Sequence, residues 1–388
     1  MENMQYRTDP KNGNRISALG FGCMRLINQR EDLIVAAVKA GINYFDTAYI
    51  YPGNESSLGS ILEKNNLRNQ VFIADKLPHN KCRKYEDFDK LLGEQLGRLK
   101  TSYIDYYLIH NLGSVESWER LVKLGIKEWI DEKKGQGVLC NIGFSFHGKP
   151  TEFEPLLDSY NWGFALIQYN YMNENYQAGT AGLMALHERG MAAMVMEPLL
   201  GGKLANRLPK AAREVFAEGG EGTPASWAFK WLWNKPEITV VLSGMNSMPQ
   251  LEENVVTASQ SGVGCLSESQ LEMYGKVADV MSEAYKIPCT GCNYCLPCPN
   301  GVNIPACFNA YNVSNTMGWM SAMPMYFNTV MGLNTKTKLA GPGNCTQCGA
   351  CTRNCPQNID IPEELKKVGK RMEPLPVKAV LAIAKKVM

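Results

Sequence analysis

The feature that most constrains this chain is a pair of dense cysteine runs near its C-terminal end. The chain has 388 residues and 13 cysteines, of which eight stand in these runs, and a proline follows each run. The two runs are Cys289, Cys292, Cys295, Cys298 and Cys345, Cys348, Cys351, Cys355. A cysteine at every third position can turn several thiolates toward one point, and thiolates are ligands that soft metals select. The runs therefore predict metal centres with sulfur ligands.

The spacing favours iron–sulfur clusters over zinc and over disulfides. The second run is C-x2-C-x2-C-x3-C-P, with which bacterial ferredoxins bind 4Fe-4S clusters, and the first run is one residue shorter. Zinc sites usually combine two C-x2-C pairs that lie well apart. Disulfides are typical of short secreted chains, and we expect no signal peptide here. Two 4Fe-4S clusters are the prediction.

In two-cluster ferredoxins the cysteine before the proline ligates the other cluster, which suggests how the eight ligands divide. The predicted sets are Cys289, Cys292, Cys295, Cys355 and Cys345, Cys348, Cys351, Cys298. Because the first run is one residue short, an alternative stays open in which Cys292, Cys295 and Cys298 act together and Cys289 is spare. Cys307 is a further candidate ligand close to this run.

Composition excludes several function classes. The formal net charge of +2 implies no bulk attraction to nucleic acid or to an anionic membrane. No apolar run approaches the roughly 20 residues of a membrane-spanning helix. Free thiols and cluster ligands indicate a reducing compartment, so we expect a cytoplasmic protein that binds no nucleic acid.

The first 260 residues or so alternate strand-like apolar runs with amphipathic helical runs. Eight strands are predicted: Ile16–Gly22, Tyr44–Ala48, Val71–Asp75, Ile104–Ile109, Val138–Phe144, Phe164–Gln168, Ala192–Met196 and Ile238–Leu242. The intervening helices are predicted at Leu33–Ala40, Ser57–Asn65, Asp87–Leu99, Glu116–Asp131, Glu152–Ser159, Thr180–Glu188 and Pro224–Trp233. This repetition predicts parallel strands, and eight units in this length fit a closed (β/α)8 TIM barrel.

The expected architecture is thus a TIM barrel followed by a small C-terminal two-cluster ferredoxin-like α+β domain. The predicted boundaries are 1–262 for the barrel, 263–287 for a helical linker, 288–364 for the cluster domain and 365–388 for a basic helical tail. A Met-rich insertion, Met317 to Met331, separates the two cysteine runs. The tail carries seven cations against one acid, Glu373. It is either a solvated helix face or a docking surface for an acidic electron carrier.

Polar residues collect where the predicted strands end, at Asp46, Lys76, His110, Ser145, Gln168 and Glu197. In TIM barrels that rim is where active sites are built. The stretch from Asp46-Thr-Ala to Tyr51, followed by Gly53-Asn-Glu55, resembles the first signature of the aldo-keto reductase family. Leu96-Gly-Arg-Leu99 with the run Tyr103–His110 resembles the second. The whole chain resembles the subgroup in which such a barrel is fused to a C-terminal 4Fe-4S ferredoxin-type domain.

The resemblance implies a catalytic tetrad of Asp46, Tyr51, Lys76 and His110. A free tyrosine titrates at about 10, so its phenol is a poor proton donor and acceptor at neutral pH until a nearby ammonium lowers that pKa. Lys76, held by Asp46, is expected to act on Tyr51 in this way, while His110 orients a carbonyl oxygen.

The resemblance also implies nicotinamide contacts, with Ser145 and Gln168 at the carboxamide and Glu253 and Asn254 at the adenine. The sequence departs from the family where Phe146 replaces an asparagine and Met196 replaces an aromatic residue. Gly244 and Gln250 stand where lysine and arginine commonly bind a 2′-phosphate. Because charge-assisted bonds to that phosphate are absent, we expect weak discrimination for NADPH, or a preference for NADH.

The expected function is interconversion of a small carbonyl compound and an alcohol with NAD(H) or NADP(H). A nicotinamide transfers two electrons together, whereas a cluster normally transfers one. The favoured interpretation is that the clusters exchange electrons with an acidic carrier such as ferredoxin or flavodoxin. The alternatives are an NAD(P)H-only reductase with structural clusters and a non-catalytic redox-sensing or regulatory protein.

Overall fold

A computed structural model describes residues 4–26, 30–316, 318–330, 339–375 and 377. Its central feature is a closed barrel of eight parallel strands, preceded by a two-stranded antiparallel hairpin. The hairpin strands are β1 (Tyr6–Thr8) and β2 (Arg15–Ser17). The barrel strands are β3 (Leu19–Gly22), β4 (Tyr44–Asp46), β5 (Phe72–Leu77), β6 (Ile104–Ile109), β7 (Leu139–Phe146), β8 (Phe164–Gln168), β9 (Ala192–Met196) and β10 (Ile238–Ser243).

Helices follow the strands along the chain. Those up to β10 are α1 (Glu31–Lys39), α2 (Asn54–Lys64), α3 (Glu86–Leu99), α4 (Val115–Lys123), α5 (Ile126–Gly135), α6 (Pro150–Asp158), α7 (Gly179–Glu188), α8 (Lys203–Asn206), α9 (Lys210–Glu218) and α10 (Pro224–Trp233). Those after β10 are α11 (Met248–Gln260), α12 (Glu268–Ala284), α13 (Ile304–Thr316), α14 (Trp319–Thr329), α15 (Ala350–Arg353) and α16 (Ile361–Met372). No helix among the described residues has the length and apolar character needed to cross a membrane.

The barrel predicted from the sequence is confirmed. Neighbouring barrel strands pair in parallel register all the way round, and β10 closes the sheet against β3. Central strands such as β6 and β8 are buried along their whole length, as expected for a sheet covered on both faces. Apolar side chains from alternate positions, including Tyr44, Leu108 and Met194, fill the interior.

Several predicted bounds shift by a few residues, and two predicted elements are each divided in two. The first predicted strand, Ile16–Gly22, divides at Ala18. Arg15–Ser17 is β2 and pairs with β1 in the hairpin, and only Leu19–Gly22 joins the barrel. The predicted helix Glu116–Asp131 is two helices, α4 and α5. Gly125 separates them with φ +87°, a left-handed backbone conformation that glycine adopts without a Cβ clash.

The hairpin closes the end of the barrel opposite the strand carboxyl ends. The Tyr106 hydroxyl, from a strand interior, donates to Asp9 Oδ2 at 3.0 Å and accepts from Asn14 Nδ2 at 2.9 Å. The Arg7 guanidinium donates to the carbonyls of Lys235 and Ile238 next to β10. These bonds satisfy buried polar groups at that end. Because the hairpin covers this end of the barrel, a ligand site is expected at the opposite rim.

The chain divides into two compact units. The first comprises Met1–Leu199 and Gly222–Leu271, and the second comprises Leu200–Glu221 and Glu272–Met388. The second unit has its own apolar core, in which Phe308, Tyr326 and Val368 from α13, α14 and α16 are all fully buried. The cysteine loops pack against this core. Among the described residues of the second unit there is no strand, so the sheet of an α+β domain is not seen in that part of the chain.

The Met-rich insertion is helical where it is described, as predicted, because α14 covers Trp319–Thr329. Met317 and Met331, the ends of the predicted segment, lie outside the described residues. The predicted tail begins within α16, and residues 376 and 378–388 of it also lie outside the described residues. The other predicted domain boundaries stay predictions.

Candidate active site and cluster sites

Neighbouring parallel strands bring the polar strand ends together at one rim of the barrel. Asp46 is the last residue of β4, Lys76 lies near the end of β5, and His110 directly follows β6. Ser145 and Gln168 stand at the ends of β7 and β8. Because carboxyl ends of parallel strands meet at one edge, these five residues share the rim, as the sequence predicted.

A buried ion pair forms the centre of this rim. Lys76 Nζ donates to Asp46 Oδ1 at 2.7 Å and to the carbonyl oxygen of Thr47 at 2.5 Å. Lys76 is 1% exposed and Asp46 is 5% exposed. Burial raises the pKa of the Asp46 carboxyl above its ordinary value, and the Lys76 ammonium opposes that rise. Each charge is therefore held in place by the other, since an unpaired charge at this depth costs several kcal/mol.

Tyr51 and His110 lie next to this pair and contact each other. The Lys76 ammonium is 5.4 Å from the centre of the Tyr51 ring. The His110 ring meets the Tyr51 ring edge to face, with ring centres 6.3 Å apart. Burial, and then the nearby Lys76 charge, lower the pKa of His110 well below its ordinary value. His110 is consequently a neutral imidazole at physiological pH, able to donate or accept a hydrogen bond without adding charge.

Ser145 and Gln168 line the next part of the rim, and both are buried. Ser145 Oγ accepts the backbone N–H of Asn111 at 2.7 Å, and its carbonyl accepts the N–H of Leu112 at 2.9 Å. Ser145 thus fixes the loop that follows His110. Among the described residues no acceptor for its hydroxyl proton is found, and its contact with a carboxamide stays a prediction.

Glu253 and Asn254 lie on α11, which follows the last barrel strand. Asn254 is buried, and its Nδ2 donates to Ser243 Oγ at 3.0 Å. Glu253 accepts a bond from the Thr223 hydroxyl, which also caps α10. Both side chains therefore support the loops at that end of the barrel, and their contact with adenine stays a prediction. Nearby, Gln250 Oε1 accepts the N–H of Asn246 at 2.9 Å.

A second buried polar layer lies behind Lys76, and the sequence analysis missed it. Asp75 and Gln95 are fully buried, and Gln95 Nε2 donates to Asp75 Oδ2 at 2.7 Å and to the Lys76 carbonyl at 3.1 Å. The Tyr107 hydroxyl donates to Gln95 Oε1 at 2.6 Å. The signal that could have revealed this layer is a carboxylate inside the apolar run Ala74-Asp75-Lys76-Leu77, where both sheet faces are covered.

The eight clustered cysteines line two separate cavities of the second unit. One cavity has an empty volume of about 300 Å³ and is lined by Cys298, Cys345, Cys348 and Cys351. The other has an empty volume of about 310 Å³ and is lined by Cys289, Cys292, Cys295 and Cys355. The last cysteine of each run thus crosses to the other cavity. Cys289 lines the same cavity as Cys292 and Cys295, and the assignment of each group of four cysteines to one cluster stays a prediction.

The donor set of each cavity suits a multi-iron cluster. Burial, and then the thiols of Cys289, Cys292 and Cys355, raise the pKa of Cys295 to about 12. Four sulfur atoms this close would repel one another as thiolates, so a bound cation is needed to ionise them together. The described residues contain no group of three or more His, Cys, Asp or Glu side chains placed to hold a single metal ion. Cys307 lines neither cavity and is buried in the apolar core.

The described part of the basic tail is less cationic than the sequence suggested. Helix α16 begins at Ile361, so it includes two acids that precede the predicted tail. Lys366 Nζ lies 2.8 Å from Glu363 Oε2, and Lys367 Nζ lies 2.7 Å from Glu364 Oε1. Arg371 donates to Ser314 Oγ at 2.7 Å and so serves the packing of α16 on α13. Pairing within the helix weakens the docking-surface interpretation over these residues.

Comparison with known proteins agrees with both parts of this geometry. Residues 18–261 match the model of the aldo/keto reductase family, and residues 288–359 match the model of a 4Fe-4S dicluster domain. An aldo-keto reductase of Mycolicibacterium vanbaalenii is 28% identical over 251 residues, which is 62% of this chain and 82% of that protein. L-galactose dehydrogenase of Arabidopsis thaliana is 27% identical over 319 residues, which is 74% of this chain and 95% of that protein.

Solved structures resemble the barrel. An aldo-keto reductase from Bacillus halodurans, in its holo form, superposes with a TM-score of 0.60 at 23% identity. The match covers 71% of this chain and 96% of that chain. At this identity the likeness shows the fold alone, and that fold is the barrel described above.

Proposed function

The chain belongs to the aldo/keto reductase family and carries a 4Fe-4S dicluster domain, and from that premise we propose that it interconverts a small carbonyl compound and an alcohol with NAD(H) or NADP(H), while two 4Fe-4S clusters exchange electrons with an external carrier. The observation that carries the proposal is the buried Asp46–Lys76 pair beside Tyr51 and His110 at the barrel rim. This set supplies what carbonyl reduction needs from a protein, namely a proton source and a fixed place for the oxygen.

Tyr51 is the proposed proton donor in the reducing direction. Its phenol gives a proton to the carbonyl oxygen as the carbon is reduced, which leaves a phenolate. The Lys76 ammonium, 5.4 Å from the ring centre, stabilises that phenolate and so lowers the barrier to proton transfer. Asp46 holds the ammonium by its 2.7 Å bond and keeps it from turning away. In the oxidising direction the phenolate takes the proton from the alcohol.

His110 is the proposed orienting residue. Because its pKa is lowered by burial and by Lys76, it is neutral across the physiological range and contributes a hydrogen bond rather than a charge. A hydrogen-bond donor fixed at the carbonyl oxygen favours the geometry in which carbon and oxygen react together. Its edge-to-face contact with Tyr51 fixes the relation of the two groups.

Ser145 and Gln168 are the proposed residues for the nicotinamide carboxamide, and Glu253 and Asn254 are those for the adenine. The bound nicotinamide supplies the hydride. Burial of Ser145 and Gln168 favours this role, because a buried hydroxyl and a buried amide orient a ring that carries its own donor and acceptor groups.

Each cavity of the second unit is proposed to hold one 4Fe-4S cluster. The ligands are Cys289, Cys292, Cys295 and Cys355 for one cluster, and Cys345, Cys348, Cys351 and Cys298 for the other. The clusters supply one-electron transfer when bound. An acidic ferredoxin or flavodoxin is the proposed carrier, and a cytoplasmic location follows from the reducing conditions that clusters of this kind need.

One observation favours a second candidate, an NAD(P)H-dependent reductase whose clusters are structural. The cations of α16 are paired with acids of the same helix, which leaves less positive charge for an acidic carrier than a seven-cation tail would offer. In this candidate the cysteine loops need clusters to fold, and electrons pass from the nicotinamide to the carbonyl without leaving the barrel.

The experiment that decides between these functions uses anaerobically reconstituted protein. NADH or reduced ferredoxin is added while cluster absorbance and carbonyl consumption are followed. Bleaching together with turnover supports electron exchange. Turnover with no bleaching, unchanged in Cys348→Ala, supports structural clusters. Tyr51→Phe should lower turnover by roughly 10²–10⁴-fold. The matched control is Tyr160→Phe, because Tyr160 is a half-buried tyrosine on the loop after α6. This control should leave turnover unchanged. Equal rates in both variants would contradict the proposal.

A further inference from the structure

A closed cluster of polar side chains lies on the outer face of β5, between that strand and helices α2 and α3. Successive residues of a strand point to opposite faces, so Lys76 points into the barrel while Asp75 points outward to this layer. The layer contains Asp75, Glu55, Gln95 and Tyr107, each at most 2% exposed. These groups are therefore shielded from bulk water and need hydrogen-bond partners inside the protein.

Two carboxyl groups meet in this layer. Glu55 Oε2 accepts from Arg98 Nη1 at 2.7 Å, but Glu55 Oε1 is buried and accepts no N–H or O–H from the described residues. The Asp75 carboxyl lies within hydrogen-bonding reach of the Glu55 carboxyl. Two ionised carboxylates cannot bond to each other, since neither has a proton to donate, and at this depth their repulsion would be severe. The geometry is satisfied when one of the two carries a proton.

We infer that Asp75 carries the proton of this pair and donates it to Glu55, which makes Asp75 a positioning residue for Lys76. The Arg98 guanidinium faces Glu55 and favours the charge there. Asp75 has no cationic side chain of its own, because the ammonium of Lys76 is bonded to Asp46 inside the barrel. Burial, and then the neighbouring Glu55, raise the pKa of Asp75 well above its ordinary value, in agreement with the geometry.

The remaining groups that face Asp75 do not compensate a negative charge on it. From β6, Tyr107 gives its only hydroxyl proton to Gln95. Near Tyr107, the Cys82 thiol lies on the loop between β5 and α3, and burial raises its pKa to about 12, so it stays neutral. Gln95 donates to Asp75 Oδ2 at 2.7 Å, a bond that a neutral carboxyl also accepts. Arg98 is engaged with Glu55 and with Glu94 Oε2 at 2.9 Å.

The inferred bond fixes the main chain that carries Lys76. Asp75 Oδ1 accepts the N–H of Lys76 at 2.8 Å, and Gln95 holds the Lys76 carbonyl. Asp75, tied by its proton to Glu55, thus anchors the strand to α2, the helix that follows the loop of Tyr51. An ionised Asp75 would lose that tie and would place a second negative charge next to Lys76. The effect on turnover rests on the proposed role of Lys76, whereas the proton assignment does not.

The test compares Asp75→Asn with Asp75→Ala in the full, reconstituted protein. An asparagine amide donates to Glu55 as a protonated carboxyl does, but its nitrogen cannot accept one of the two N–H bonds that Asp75 accepts. Asp75→Asn should therefore lose only about threefold in turnover, whereas Asp75→Ala leaves Glu55 Oε1 without a donor, removes both N–H acceptors and should lose at least about tenfold. Infrared spectra at pH 7 should contain a protonated-carboxyl C=O stretch that is absent from Asp75→Asn.

Stability against pH gives a readout that a merely structural role would not change. Unfolded Asp75 releases its proton near its ordinary pKa of about 3.9, whereas the folded protein keeps it to a much higher pH. The free energy of unfolding of the wild type therefore falls relative to that of Asp75→Asn as pH rises above about 4. The slope corresponds to the release of up to one proton on unfolding. A constant difference between the two proteins from pH 4 to 8, or no carboxyl stretch that depends on Asp75, would overturn the inference.

The two proposals fail separately. If Lys76→Met keeps full turnover, the proposed catalytic role fails, yet the infrared and stability results still test the proton assignment. If Asp75→Asn loses as much turnover as Asp75→Ala, and also lacks the stability gain at high pH, Asp75 is ionised and the inference is wrong whatever Lys76 does.

Discussion

The cysteine loops and the barrel rim differ in how far apart along the chain their functional groups lie. Each cavity of the second unit takes three of its four cysteines from one short run, such as Cys289, Cys292 and Cys295. The rim takes one residue from the end of each of several strands, from Asp46 to Gln168. In the loops the grouping of the sulfur atoms is largely a local property of the spacing, and the proposed clusters would add folding energy when bound. At the rim the geometry depends on a completed barrel.

Each region is therefore sensitive to a different kind of change. The cysteine loops would be vulnerable to loss of iron and to change of a single ligand, because each proposed cluster joins four cysteines from two separate stretches of the chain. The rim is open to loss of charge balance, because Asp46 and Lys76 are buried and each stabilises the other.

The largest effect is expected from Cys351→Ala or from anaerobic iron chelation. Cys351 is the buried cysteine of its cavity, and the variant should bind about four iron atoms per chain where the wild type binds about eight. Chelation should abolish the cooperative unfolding of the second unit while the barrel keeps its circular dichroism. Iron and sulfide analysis with thermal unfolding measures both. Cys265→Ala, an exposed cysteine outside the runs, is the control. Unfolding of the barrel at the same time would break the contrast.

A smaller effect, confined to the barrel, is expected from Lys76→Met. Removing one partner of a buried ion pair leaves Asp46 uncompensated, so the free energy of unfolding should fall by about 3–5 kcal/mol. Asp46→Asn with Lys76→Met should regain part of that loss, because no charge then remains buried. Denaturant titration at pH 7 measures these values. Iron content should stay at the wild-type value in both proteins, and a loss of iron would argue against independent stability of the two regions.

Acid should destabilise the barrel through its buried histidines. Burial lowers the pKa of His147 from 6.5 to about 4, and burial together with Arg120 does the same for His79. The unfolded chain therefore takes up protons between about pH 6.5 and 4 that the folded protein does not, so stability falls as pH decreases, by at most about 1.4 kcal/mol per pH unit for each proton. His147→Gln should reduce that slope by up to one proton. Unfolding free energies at several pH values would show an unchanged slope if the assignment is wrong.

The smallest effect concerns the choice between nicotinamides. Gly244 and Gln250 provide no cation for a 2′-phosphate. The dissociation constants of NADPH and NADH should therefore differ by less than about tenfold. Fluorescence titration measures both. Gln250→Arg should shift the ratio toward NADPH, while Gln260→Arg at the end of the same helix should not. A hundredfold advantage for NADPH in the wild type would contradict the expectation.

Local patterns made much of this molecule predictable. The eight barrel strands were readable because each is a short apolar run between turn residues, and the polar rim followed from where those runs end. The boundaries that moved did so for backbone reasons, such as the left-handed Gly125 between α4 and α5. The hairpin strand β1 was missed and β2 was merged with the first barrel strand, because three-residue strands carry too few residues for a period to be visible.

Neighbouring residues were enough to predict the cysteine-rich cluster domain, the barrel and the family, because spacing, alternation and motif are local properties. The spacing suggested that Cys298 and Cys355 group with the other run, but it left an alternative open, and it did not reveal that the lysines of α16 pair with acids that precede them. Only the tertiary structure placed the carboxyl groups of Asp75 and Glu55 together behind Lys76. Such contacts join residues far apart in the chain, and their charge states depend on burial, which no local pattern encodes.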